Sequence, residues 1–135
     1  MPDKNEEEIL KAMDRAMDDI IDSIFTKSQE NIVEEGAVDR GTLLKSGNVN
    51  RKFLEKEIVY SAPHAVFVEF GTDPHMPPVD PIMEWARRKL GLPEDEARRV
   101  AWAIAKKIEK EGTPGIHFME KAILEEIRSG RIRKL

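Results

Sequence analysis

The sequence predicts an α+β fold made of a long N-terminal helix, a small antiparallel hairpin and a series of C-terminal helices. Three observations predict it. From about Lys4 to Glu35, Ile9, Met13, Met17, Ile20, Ile24, Ser28 and Ile32 recur every three or four residues, which is one stripe of an amphipathic helix. Between Gly41 and Ser61 the period changes, and Val49, Phe53, Ile58 and Tyr60 stand among polar residues as strand residues do. From Asp80 onward the apolar residues return to helical spacing, in blocks bounded by Gly and Pro.

Taking the elements in order, the first helix spans residues 4–35. Ile21 and Phe25 widen its stripe, Glu6, Glu7 and Glu8 suit the positive end of its dipole, and Gly36 stops it. Such a helix is about 45 Å long at 1.5 Å per residue, longer than a chain of this size needs for its own core, so part of it serves a neighbour. The hairpin occupies residues 45–61, with its turn near Leu54-Glu55-Lys56. In the next segment, 62–78, Val66, Phe67 and Val68 favour a strand, whereas Pro63 suits a first helical turn and Gly71 a terminator; a short helix is the expectation. Asp73 to Pro81 holds four of the eight prolines and is expected to be extended.

The helical C-terminal part, 80–129, begins with a helix capped by Asp80, with Pro81 in its first turn and Gly91 at its end. Ile82, Trp85, Ala86 and Leu90 form its expected buried stripe. The next helix opens at Pro93 with Glu94, Asp95 and Glu96, closes with Lys106, Lys107 and Lys110, and buries Ala97, Val100, Ile104 and Ile108. Trp102 lies about 200° around that helix from Val100, so either it is sandwiched within the chain's own fold or it meets another subunit. A last helix from near Ile116 uses Phe118, Ala122, Ile123 and Ile127. Repeats, low-complexity stretches and linkers are absent, so residues 1–135 read as one domain.

Composition narrows the function. With 40% apolar and 36% charged residues and a mean hydropathy of -0.50, the chain has enough core for one domain and no run approaching the roughly 18 apolar residues of a membrane helix. It begins with acids and Lys rather than a secretory pattern, which places it in the cytoplasm of the producing cell. It has no cysteine, hence no disulfide, thiolate metal site or thiol redox chemistry.

Chemistry-bearing patterns are sparse. His64, His75 and His117 are scattered and form no pair at metal-ligand spacing, although Glu69, Asp73 and His75 are the one grouping on which a metal-dependent hydrolase would rest. Gly41 and Gly47 lack the ending of a phosphate loop, and neither Ser46 nor Ser61 has a base in a recognisable context. The expectation is no enzyme, no cofactor and no metal. Glu69, a lone acid within Val-Phe-Val-Glu-Phe, is costly to bury without partners. It either faces outward from a helix or takes hydrogen bonds from backbone donors of the following turn or from an Arg such as Arg40, within the chain or across a subunit contact. Gly71 is expected to take a positive φ, and Thr72 to bond the backbone after it. Arg128, Arg131, Arg133 and Lys134 invite a nucleic-acid-binding alternative at the basic C-terminal tail. A net charge of -4, a pI near 5.5 and the lack of interleaved aromatics argue against it.

Four blocks in this order carry a resemblance: Asp39-Arg40-Gly41-Thr42-Leu43-Leu44-Lys45-Ser46-Gly47, Ala62-Pro63-His64-Ala65-Val66-Phe67-Val68-Glu69-Phe70-Gly71-Thr72, His75-Met76-Pro77-Pro78, and Gly112 to Met119. The chain resembles, over roughly Gly36 to Glu126, the small head-to-tail joining and tail-completion proteins of long-tailed bacteriophages. The family signature falls on Gly41, Leu43, Ser46, Pro63, Ala65, Glu69, Gly71, Thr72, Pro78 and Phe118, with His64 where the family usually has Tyr. The resemblance implies an α+β domain with its long helix packed on the small sheet. It implies a virion structural protein, from a provirus, that forms a homo-oligomeric ring, hexameric by that likeness, and touches other neck or tail proteins. Such a protein is made in the host cytoplasm and ends in the virion neck or tail. Trp102, Met76 and Pro77, with the first helix, are the candidate subunit contacts.

Overall fold

The computed structural model describes residues 3–37 and 39–134. Helix α1 (Lys4–Glu34) begins in a capping box in which Asp3 accepts from the Glu6 amide and Glu6 reaches back to the Asp3 amide. It ends at Gly36, whose φ of 65° lets the chain turn away. The expected hairpin is present as β1 (Gly47–Lys52) and β2 (Glu55–Tyr60), antiparallel, with Lys52 opposite Glu55. The turn is therefore Phe53-Leu54, slightly earlier than Leu54-Glu55-Lys56. The strands also start later than the change of period at Gly41 implied, because Arg40–Ser46 forms a short helix, α2, that buries Leu43.

The long helix does pack on this hairpin, and charge as well as packing holds it there. Lys56, its side chain largely covered, lies 2.7 Å from Asp14 and 3.2 Å from Asp18; Arg51 pairs with Asp18 at 2.9 Å and with Asp22. Leu54 sits at the turn with a φ of 60°, a left-handed conformation unfavourable for a branched side chain, and its amide donates to Asp14 at 2.8 Å. Hydrogen bonds from Lys56 and from the Leu54 amide hold the Asp14 carboxyl below the usual carboxylate range, and those from Arg51 and Lys56 do the same for Asp18. A carboxylate whose folded pKa is depressed adds stability above its unfolded value near 4, and that contribution disappears as pH falls through the lower folded value. The Lys56 and Arg51 pKa values are raised, so their contribution is intact throughout this range and fades only in strong base. Docking of the hairpin on α1 should thus be constant from neutrality to about pH 4 and weaken below it. In an NMR titration the Leu54 amide resonance is expected to follow Asp14 with a midpoint below the ordinary Asp value, and a midpoint at or above that value would refute the clamp.

The signature segment is helical, α3 (Ala65–Phe70), with Pro63 in the turn before it. Gly71-Thr72 then forms a two-residue strand, β3, paired antiparallel with Thr113-Pro114, β4, an element with no counterpart in the sequence pattern. After an extended stretch come α4 (Val79–Leu90) and α5 (Glu94–Glu111). Asp80 is not the cap of α4, which begins one residue earlier behind the extended Pro78. Ile82 and Ala86 are buried as expected, but Leu90 is half exposed because α5 leaves after Gly91. Helix α6 (Phe118–Arg128) buries Phe118, Ala122 and Glu126, and the expected Ile123 and Ile127 are exposed instead. No helix among the described residues is long and apolar enough to cross a membrane.

Two apolar clusters result. One gathers Ile32, Ala37, Leu43, Ala62, Ala65 and Phe118 between α1, α2, α3 and α6, with Tyr60 and Val68 against it. The other joins Ile82 of α4 to Ala101 and Ala105 of α5, whose alanines allow the two helices a close approach. The Trp85 indole donates to the Gly36 carbonyl at 2.7 Å and Arg88 donates to that of Ala37 at 3.1 Å, tying α4 to the end of α1.

Candidate functional site

The polar centre of the fold is Glu69. Helical spacing from Ala65 places its side chain on the inward face of α3, four residues on, and the Val68-Glu69 backbone runs against the segment leading into α6. The Ile116 amide donates to the Val68 carbonyl at 2.9 Å, and the His117 amide to the Glu69 carbonyl at 3.1 Å. The carboxylate then accepts the Met119 amide at 2.8 Å and the Glu120 amide at 3.1 Å. Those are the second and third residues of α6, whose own cap position, His117, has a φ of 52° and makes no side-chain bond to the helix amides. Glu69 therefore caps, from another element, a helix that lacks its own cap, and its negative charge faces the positive end of that helix.

This settles how Glu69 is satisfied. It is buried rather than outward-facing, and its donors are backbone amides of α6, not of the following turn or of Arg40. Close backbone approach makes the arrangement possible: a Cβ on Gly115 would overlap the Glu69 carbonyl oxygen, and one on Gly71, at φ 83°, would overlap that of Thr113. Gly71 has the positive φ expected of it. Thr72 bonds across the strand pair rather than onward, with its hydroxyl 2.7 Å from that of Thr113 and accepting the Thr113 amide.

The remaining signature residues are spread through the fold. Leu43, Ala65 and Phe118 are core; Gly41 and Pro63 are exposed; the Ser46 hydroxyl donates back to the Leu43 carbonyl at 2.8 Å. Pro78 precedes α4, Pro77 is partly buried, and Met76 is exposed. Trp102 is 47% exposed on the outer side of α5, so it is not sandwiched within the fold. His64 is partly buried, but its Nε2 has no hydrogen-bond partner among the described residues.

The grouping of Glu69, Asp73 and His75 is not assembled. His75 instead bonds the Asp73 backbone carbonyl at 2.9 Å. Among the described residues the acid and histidine cluster is Glu69, His117 and Glu120, with ligand atoms within 4.8 Å of one another and His117 Nδ1 3.1 Å from Glu120. Both Glu69 oxygens already accept helix amides there, and the positive end of α6 opposes a cation, so the residues do not fit a metal ion.

One polar cluster escaped sequence reasoning. Glu126 is fully buried, 3.2 Å from Lys27, 3.1 Å from the Ser23 hydroxyl and 3.1 Å from Arg131 Nε. The available signal was its position one turn beyond Ala122 and two beyond Phe118, in line with the buried face of α6. Arg131 of the basic tail thereby pairs with a buried acid while staying half exposed; Leu135, the last residue of that tail, lies outside the described residues.

While these contacts keep polar groups inside, α3 turns large apolar groups outward. Val66, Phe67 and Phe70 are 61%, 55% and 70% exposed, and they lie within one turn of each other. The family model described as "Bacteriophage HK97-gp10, putative tail-component" matches residues 1–71, just over half of the chain, and the protein belongs to that family. The matched part runs from α1 through α3 and includes Glu69 and Gly71. Neither the comparison with curated proteins nor that with solved structures gave a match.

Proposed function

We propose that the protein joins head to tail or completes the tail as a ring of identical subunits, working by contact rather than turnover. The observation that carries this reading is the outward face of α3, where Val66, Phe67 and Phe70 form an apolar surface on a helix fixed by the Glu69 cap. Apolar clusters that a monomer leaves in water are characteristic of surfaces covered in assembly. Membership of a tail-component family supports the virion as the setting, and the head-proximal, neck or tail station would be reached after assembly in the host cytoplasm. The six-fold ring rests on the family likeness alone. Subunits of any ring must present two different, complementary surfaces.

The test is the mass of the full chain in solution across a concentration series, by light scattering after size exclusion, with negative-stain images of the heaviest species. Closed rings are expected. The double variant Phe67→Ser, Phe70→Ser should shift the midpoint of assembly at least tenfold in concentration, about 1.4 kcal/mol, with thermal unfolding of the subunit little changed because these side chains are exposed. A chain that remains monomeric at every concentration would overturn the self-assembling ring.

A further inference from the structure

The face of α1 that receives α6 continues beyond it. Ser23, Lys27 and Asn31, spaced by four, bond to Glu126 and to the Phe118 carbonyl. Continuing that row towards the N-terminus at intervals of three and four gives Ile20, then Met17 and Ala16, then Met13 and Ile9. After α6 ends, Ile132 still borders a groove with Met17, Ile20 and Ile21. Farther out, Ile9 is 60% and Met13 42% exposed, on a helix well formed and capped at that end.

Charge decides what fits this stripe. From Asp3 to Asp22 the segment has eight acids (Asp3, Glu6, Glu7, Glu8, Asp14, Asp18, Asp19, Asp22) against Lys4, Lys11 and Arg15. Arg51 and Lys56 of the hairpin neutralise only the Asp14, Asp18 and Asp22 side, so around the exposed stripe the four acids Asp3 and Glu6 to Glu8 outnumber the nearby cations Lys4 and Lys11. Pairing two such stripes sets like charge against like. The opposite surface exists on α5. Trp102 stands out from it, one turn from Arg98, Arg99 and Lys106, and beyond the acidic first turn (Glu94, Asp95, Glu96), whose Glu94 lies 3.5 Å from Arg98 in an exposed pair, the helix from Arg98 to Lys110 carries five cations (Arg98, Arg99, Lys106, Lys107, Lys110) against Glu109.

We infer that the first turns of α1 in one subunit dock on the Trp102 face of α5 in the next, Ile9 and Met13 covering the indole while Glu6 to Glu8 meet Arg98 and Arg99. The inference rests on the assembly reading and adds to the α3 face a second contact, one with two unlike sides as a head-to-tail interface requires. Trp is the residue type most often dominant at such contacts, and a thioether against its ring adds attraction. The basic helix face meets an acidic helix start, so the contact is electrostatically steered and salt-sensitive.

The absence of cysteine makes the test direct. Met13→Cys protein and a size-tagged Ala103→Cys protein, each with one thiol, are mixed with a short bis-maleimide. A mixed-size cross-linked product is expected, with its rate falling about tenfold or more between roughly 0.05 and 0.5 M salt. Arg98→Glu with Arg99→Glu on the Ala103→Cys protein should abolish it, and Glu6→Lys with Glu8→Lys on the Met13→Cys protein should restore it. Met13→Cys homodimers without mixed product would overturn the contact in favour of a symmetric pair. Rings in light scattering with no mixed product would overturn this contact while the assembly reading stands. Monomers with no cross-link would remove both.

Discussion

Replacing Phe118 by alanine is expected to lower unfolding free energy by about 3–5 kcal/mol, the range for emptying a buried aromatic site. The ring is almost wholly buried and belongs to the cluster formed by Ile32, Ala37, Leu43, Ala62 and Ala65, so α1, α2 and α3 lose a common partner. It also meets Tyr60 edge-on, with centroids 5.1 Å apart, an arrangement worth about 0.5–1.5 kcal/mol beyond burial. The Tyr60 hydroxyl is anchored by Ser28 at 2.6 Å and Gln29 at 2.8 Å, which prevents that ring from tilting into the vacated space. Collapse of the cavity is thereby limited, and the cost should lie in the upper part of the range. Since domains of this size have only about 5–15 kcal/mol of stability, the loss is a large fraction of the total. Urea unfolding followed by circular dichroism checks it, with Phe118→Leu expected to lose much less because most of the volume is kept. A loss below about 1.5 kcal/mol for the alanine variant would show that the site relaxes freely and that this cluster is not the centre of the core.

What the sequence made legible follows the length over which a pattern is repeated. Helix α1 shows seven apolar or small positions in register, and its ends are marked by Glu6 to Glu8 and by Gly36, so its limits agree with the structure to within a residue or so. The hairpin was legible because alternation survives over two strands. Helix α2 was not: in seven residues it buries one side chain, Leu43, too short a sample to separate a helical from a strand period. Strands β3 and β4 were beyond reach for another reason. Each has two residues, and their pairing depends on glycine-permitted contact between segments about forty residues apart. At Glu69 the need for a partner was legible from the cost of burying a charge, but the partner was not, because the free amides of α6 come beside it only once the chain has folded. Glu126 was overlooked because an acid among Glu125, Ile127 and Arg128 looks solvated; only its register with Phe118 and Ala122 separates it from its neighbours.

Glu69→Ala is expected to cost about 2–4 kcal/mol, the scale of losing charge-assisted bonds to two helix amides together with a helix cap. The side chain is the nearest thing α6 has to a cap, since His117 makes no such bond, and no residue of α3 is placed to replace it. Glu69→Gln separates the parts of this cost. Its amide oxygen retains one acceptor of similar shape, while its nitrogen faces the second helix amide as donor against donor, and the favourable charge at the helix start is gone. Most of the alanine loss should therefore persist in the glutamine variant, on the order of 1–3 kcal/mol. Hydrogen exchange locates the effect: the Met119 and Glu120 amides should lose protection first, ahead of the hairpin, which is held to α1 by its own ion pairs. If Glu69 were instead a metal ligand with His117 and Glu120, divalent cations would raise the wild-type unfolding temperature and leave that of Glu69→Ala unchanged. The cap reading expects no such difference. It also expects the assembly midpoint to move in the same direction as in the Phe67→Ser, Phe70→Ser variant, because Val66, Phe67 and Phe70 share six residues of helix with Glu69 and lose their fixed orientation when it no longer grips α6. Loss of stability without any change in assembly would mean that α3 presents its apolar face independently of the carboxylate beneath it.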